Sequence, residues 1–404
     1  MKPMTLAVSV AALFASTMNA QAAERLAVTV EHDLAIARPS ETISIPWSEV
    51  NAVLPGALIQ KIAVKDAQGR VLPYQVTNVA PLAKDPKNVG IAYGELLFQH
   101  SFAPGEKRAA FTVEKIDTVA PVFPVKAFAR YVPERLDDFA WENDKVAHRT
   151  YGPALAAPSP PDVKKEVLVT SGLDLWFKRV DYPIVDRWYN KGHDHYHHDE
   201  GEGMDMYNVG KSRGAGGTGV WDGKQLYTGV NYASWKVLAN GPVRAVFELH
   251  YAGWDAGGKQ VSEIKRFTVD AGHYLDRIDS TFTYAGNEPI TVAVGLNRTP
   301  SDKGQNPQIA TRKEGAVLLQ WVQQASNDAF GTAVVLPGAE GFAQDALNEL
   351  VLAKAASGKP LRYYAGGAWS RGGEITSLEQ WLSLAQDTAA RDASPVRVTL
   401  ARKP

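Results

Sequence analysis

The sequence predicts a mainly β protein: a small N-terminal β-sandwich module over 24–118 and a large antiparallel two-sheet sandwich over 128–404, with few helices. Three observations predict it. Short period-two strands recur through the first hundred residues, longer strands rich in β-branched residues fill the second half, and two proline clusters interrupt the stretch between them.

The chain opens with Met1-Lys2, continues through an apolar stretch from Leu6 to Phe14, and reaches Ala20-Gln21-Ala22. That is the layout of a secretory signal peptide, so residues 1–22 are expected to be cleaved and the protein to be periplasmic or secreted. The apolar stretch is well short of the ~20 residues that span a bilayer, and no longer one follows, so no membrane span is expected. There is no cysteine to carry a lipid or form a disulfide. Lys and Arg total 43 against 44 Asp and Glu, a balance that argues against nucleic acid as a partner.

In the N-terminal module, strands are expected at Leu26–Val30, Glu41–Ile45, Ile59–Val64, Ala92–Phe98 and Ala109–Val113. Val119–Val125, with two prolines, reads as a linker or an edge strand, and Pro153–Pro161 as a loop. Strands follow at Glu166–Thr170, Val243–His250, Glu263–Val269, Asp276–Tyr284 and Ile290–Gly295. Thr376-Ser-Leu-Glu379 has the capping-box pattern and opens an amphipathic helix from Leu378 to Ala390; Val396–Leu400 closes the chain as a strand of the large domain.

Function concentrates between Trp188 and Trp221. Four of the nine histidines (His193, His195, His197 and His198) fall within six positions, followed by acids, tyrosines, Lys211 and Arg213. A solvated loop does not need four groups that titrate near neutrality. If His193 to Asp199 is extended, a period of two puts His193, His195, His197 and Asp199 on one face. His195 and His197 could then share a divalent ion, Zn or Ca, with Glu202 or Asp205 completing its shell. Catalysis without metal is as open as catalysis with it, and a surface loop whose imidazoles sit in solvent is the lesser alternative. Gly214, Gly216, Gly217 and Gly219 suit a turn beside a ligand or a tight connection between sheets. They do not make a phosphate loop, because Asp205 stands at the leading glycine.

Phe139–Pro153, Tyr196–Gly219 with its Gly-Glu-Gly-Met-Asp-Met-Tyr-Asn-Val-Gly core, and Tyr363–Ser370 together resemble the bacterial domain-of-unknown-function family 4861. Arg213 departs from that pattern, standing where a smaller apolar residue is expected. The resemblance implies a neighbour of polysaccharide-degrading enzymes, with a fold related to the large sandwiches of polysaccharide lyases and sugar mutarotases. It also implies β-elimination on a uronate, since one similar protein from an ulvan-degrading system is an oligosaccharide dehydratase. The implied partner is an oligosaccharide or polysaccharide containing uronic acid.

Elimination across C4 and C5 of a uronate needs a base at C5, a cation on the carboxylate and an acid at the C4 oxygen. The candidates for base and acid are His195, His197, His198, Tyr196 and Tyr207. Lys211, Arg213 and Arg244 can meet the carboxylate, as can Arg298 at the end of a strong apolar strand. Trp141 could stack on a sugar and Glu142 accept a hydroxyl, or Trp141 could be core; Trp369 could line a groove or pack inside. His148 and Arg149 adjoin this motif. Two other classes stay open. A glycoside hydrolase would draw paired carboxylates from Glu142, Glu200, Glu202 and Asp205. A noncatalytic carbohydrate-binding protein would need only the aromatics and the sheets.

Overall fold

The computed structural model describes residues 25–77, 94–301, 307–326 and 328–403. The expected signal peptide lies outside the described residues. Among the described residues there are five antiparallel sheets and few α-helices: α1 (Trp47–Val53), α2 (Pro153–Ala156), α3 (Val185–Lys191), α4 (His193–Tyr196) and α5 (Leu378–Ala393). None of the described helices is long and apolar enough to cross a membrane.

The N-terminal module packs a four-stranded sheet on a three-stranded one. Alternate residues Leu26, Val28 and Val30 point into a core shared with Ile43, Ile45, Phe98 and Phe111, as the period of two requires. The last strand, Arg397–Lys403, belongs here: it pairs antiparallel with Arg25–Glu31 along its whole length, from Arg25 opposite Lys403 to Glu31 opposite Arg397. The expectation had closed the large domain with this strand. Its apolar side, Val396, Val398 and Leu400, packs on the N-terminal core instead, so the chain returns to its first sheet to close.

In the large domain an eight-stranded antiparallel sheet faces two five-stranded sheets. Its long strands Arg244–Asp255, Gln260–Asp270 and Leu275–Tyr284 are the β-branched runs expected from sequence. Phe247, Phe267, Ile278 and Tyr363 from this sheet meet Phe139, Trp141, Leu175, Val294 and Val351 in one continuous core. The glycine-rich run is the strand Ala215–Trp221, not a turn; a Cβ on Gly216 would stand 2.5 Å from the Ala365 Cβ, so the glycines let the sheets close on one another.

Local departures have local causes. Glu166–Thr170, expected as a strand, lacks ladder partners and runs as irregular chain. Pro153 opens the single turn α2 at the first helical position, where no amide donor is needed. The α5 cap sits one residue later than expected: Ser377 Oγ accepts from the Gln380 amide at 3.3 Å, and Gln380 Oε1 reaches back to the Thr376 amide at 2.7 Å.

Candidate functional site

The five-stranded sheet that carries the Phe139–Pro153 motif has the order Gly203–Asp205, Asp174–Lys178, Val146–Thr150, Asp138–Glu142, Phe128–Val132. Alternation sorts its residues. Phe139, Trp141, Leu175 and Phe177 face the main core, while Asp138, Arg149, Asp174, Trp176 and Asp205 share the opposite face. Helices α3 and α4 lie over that second face, with Trp188, Tyr189 and Tyr196 around the Trp176 ring at centroid distances of 5.2, 4.9 and 4.9 Å. A charged sheet face is thereby buried beneath aromatic side chains.

Arg149 is its hub. Its Nε donates to Asp174 Oδ2 at 2.7 Å and its Nη2 to Asp205 Oδ2 at 2.9 Å; Nη1 lies 3.7 Å from Asp138 and 3.4 Å from the Tyr196 hydroxyl. Burial works against the guanidinium charge, but Asp174 and Asp205 outweigh it and lift its pKa. One cation cannot satisfy three buried carboxylates. Burial accordingly pushes Asp138 up to about 6, against the pull of Arg149, and raises Asp205 well above the usual carboxylate range, with Asp174 adding to the effect.

Gly192, at φ 97, turns the chain from α3 into α4, so the histidine segment is helical where the sequence suggested an extended strand. A single helical turn has no periodicity to betray it. The turn separates the imidazoles: His193, His195 and His198 are exposed, with His195 Nδ1 at 2.8 Å from Glu200, whereas His197 is half-buried. His197 Nδ1 donates to the His193 carbonyl at 2.8 Å, and its Nε2 lies 3.4 Å from Asp205 Oδ2. Burial lowers its pKa, leaving the ring neutral in neutral water. Tyr196 is buried against Arg149 and Trp176. Beside them His195, Tyr196, His198 and Glu202 line a recess of about 10 Å³, room for a water molecule and not a sugar.

The expected metal set does not converge. His195 is held by Glu200 and His197 by Asp205, while Glu202 accepts from Arg187, Tyr182 and Trp188. Among the described residues no three His, Asp or Glu side chains are arranged to hold an ion.

Other expected substrate contacts are dispersed. Trp141 is core: it has no exposed surface, stacks on His148 at 5.1 Å and donates to Asp276 at 2.7 Å, so it has no face for a sugar. Glu142 is buried, accepting from Lys178 at 2.8 Å and from the first amides of α3. Arg213 is buried between the sheets, donating to Ser171 Oγ at 2.7 Å, and burial brings it down to about 10. Arg244 is clamped by Asp270 at 2.5 and 2.7 Å, and Arg298 pairs with Glu349 at 3.0 Å. Lys211 is exposed at a turn. Tyr207 is buried with its hydroxyl unpartnered, and burial raises its pKa. Trp369 is buried and donates to Asp328 at 3.1 Å, its ring covered by Arg371 at 5.3 Å.

Sequence reasoning passed over Asp138, Asp174, Arg179 and Arg371. Arg179 and Arg371 approach Asp199, two residues after His197 in sequence, each at 3.2 Å, and Arg371 Nε also meets Asp328 at 2.8 Å; both side chains stay partly exposed. Asp174-Leu-Trp-Phe-Lys178 did hold a signal, because charge at its first and last positions with Trp176 between them marks one face of a strand.

The signature described as Domain of unknown function (DUF4861) matches residues 30–398. Uncharacterized protein P7 of Formosa agariphila is 31% identical over 405 residues, covering 97% of this chain and 98% of that one. Among solved structures, an α-mannosidase from Enterococcus faecalis V583 aligns with 93% of this chain at a TM-score of 0.47 and 9% identity. A glycosyl hydrolase family 38 protein from Enterococcus faecalis aligns with 93% at 0.48 and 8% identity. This chain spans just under half of each, 46% and 47%. With a signature running nearly end to end and a full-length relative behind it, the chain belongs to the DUF4861 family.

Proposed function

We propose that this protein is an exported carbohydrate-active enzyme that performs β-elimination on oligosaccharides containing uronic acid. One observation carries the reading: Nε2 of His197, half-buried, stands 3.4 Å from Oδ2 of the buried Asp205, and burial moves the two pKa values in opposite directions, His197 down and Asp205 up. Shifts in those directions favour an unprotonated base beside a protonated acid, the pair of states that elimination uses.

In this reading His197 takes the proton from C5 of the uronate. The C4–O bond then breaks as the C4–C5 double bond forms, and the departing oxygen receives a proton drawn from Asp205, leaving as water or as a sugar. Arg179 and Arg371 offer guanidinium donors to the substrate carboxylate, which must be neutralised before the C5 proton becomes acidic. Arg149 takes up the negative charge left on Asp205. No step needs a metal-binding cluster of the kind first expected at His195, His197, Glu202 and Asp205.

Incubation with uronate-terminated oligosaccharides tests it. Elimination gives an unsaturated uronate that absorbs in the ultraviolet. Hydrolysis into fragments without that chromophore would replace the reading with a glycosidase, and unchanged oligosaccharide would replace it with a binding protein.

A further inference from the structure

A cleft of about 860 Å³ lies between the N-terminal module, the outer face of the eight-stranded sheet and α5, away from the histidine segment. We propose that it is a second saccharide site, built for an uncharged, hydroxyl-rich chain, and distinct from the site of elimination.

The cleft has fixed walls. Gln99 Nε2 donates across the module boundary to the Ala271 carbonyl at 2.8 Å, His273 Nε2 meets the Ser40 carbonyl at 2.9 Å, and Arg391 on α5 grips Glu41 at 2.8 Å. Its size falls in the ~300–1,000 Å³ range of small-ligand sites. One face of α5 packs Trp381 and Ala385 into a hydrophobic cluster, and the other turns Gln380, Ser383, Asp387, Thr388 and Arg391 to the cleft. These positions fall near one another on the helix surface, so the polar stripe follows from the sequence.

The charge pattern selects the ligand. Five cationic and five carboxylate side chains line the cleft and cancel. Most are already engaged: Arg244 with Asp270, Arg391 with Glu41, Lys145 with Glu374. A polyanion would have to displace wall carboxylates, and a polycation wall guanidiniums. Neutral hydroxyl groups need displace neither, because the free lone pairs of the carboxylates accept from them while the remaining guanidinium hydrogens donate. Asp387 has Arg391 as its charged neighbour, and burial raises its pKa. Tyr364, half-buried in the floor with its hydroxyl on Asp392 at 2.5 Å, supplies a ring for the C–H face of a sugar.

Calorimetric titration of the full chain with xylohexaose, mannohexaose and an alginate hexamer tests this. The proposal expects a neutral hexasaccharide to bind, both Tyr364→Ala and Ser383→Trp to weaken it at least ten-fold, and neither substitution to change the affinity for the alginate hexamer, a uronate chain that the elimination site would take. Ser383 is exposed, so its indole should fill the cleft without disturbing the core. Elimination on short uronate substrates should be unchanged in both variants, which separates this site from the proposed reaction. No heat with either neutral hexasaccharide, native affinity for it in Ser383→Trp, or an alginate affinity lost together with it in Ser383→Trp would overturn it.

Discussion

Arg149 and Asp205 are joined across an intervening strand: Nη2 spans from Val146–Thr150 to the carboxylate on Gly203–Asp205 at 2.9 Å, while Nε of the same guanidinium holds Asp174 on the strand between. This bond ties the sheet motif at Arg149 to the histidine segment that follows Asp174. It also makes Arg149 the group on which the buried acids depend.

Replacing Arg149 by Met should therefore destabilise the fold by about 3–5 kcal/mol, because three buried carboxylates lose their common cation. Arg149→Lys should recover little, since a single ammonium cannot reproduce the fork that meets Asp174 and Asp205 together. Urea unfolding of the two variants beside the native protein measures both.

Asp276 gives a pH signature. Burial raises it from 3.8 to about 7, so the folded protein keeps a proton that the unfolded chain releases. Its stabilising contribution is complete below pH 3.8 and is lost as pH climbs through 7. Asp276→Asn removes that titration, and its stability should gain on the native protein between pH 4 and 8 by up to about 4 kcal/mol. His148, lowered to about 3 by burial, has the opposite sign, and its Nδ1 lies 3.5 Å from Asp276 Oδ2, so the difference between the two proteins reports on this buried pair with Asp276 setting its sign. Melting curves across that pH range provide the check.

Gly295 faces Arg213 across the inner packing. A Cβ there would lie 2.9 Å from the Arg213 Cβ and Cγ and 3.0 Å from Leu350. Gly295→Ala should cost about 1–3 kcal/mol through overpacking, visible as a lower denaturant midpoint with an unchanged slope.

Much of the fold was legible because alternation is a local signal. The strands Gln260–Asp270 and Leu275–Tyr284 show their inward Phe267, Ile278 and Phe282 directly in sequence. The pairing of Arg25–Glu31 with Arg397–Lys403 was not legible, since no local pattern states which distant strand will complete a sheet. At the site, the histidine segment stands out by composition, but its geometry does not, and Arg149 shows in the sequence only as a neighbour of the Trp141 motif. Four residues of helix in α4 are too few to show a period of 3.6, and that one turn decides that His197 alone of the four meets Asp205. Trp141 carried both a core and a sugar-stacking reading; the bond from its indole to Asp276 inside the main core decides for the first.

The central claim is that His197, poised on Asp205, moves the proton in an elimination. Its most direct test is the ultraviolet absorbance formed per minute from a uronate-terminated oligosaccharide by the native protein, His197→Ala and His195→Ala, with melting temperatures measured alongside. The account predicts that His197→Ala loses roughly 10²–10⁴-fold in rate while His195→Ala stays near native, both with native-like melting. A native rate in His197→Ala would contradict it.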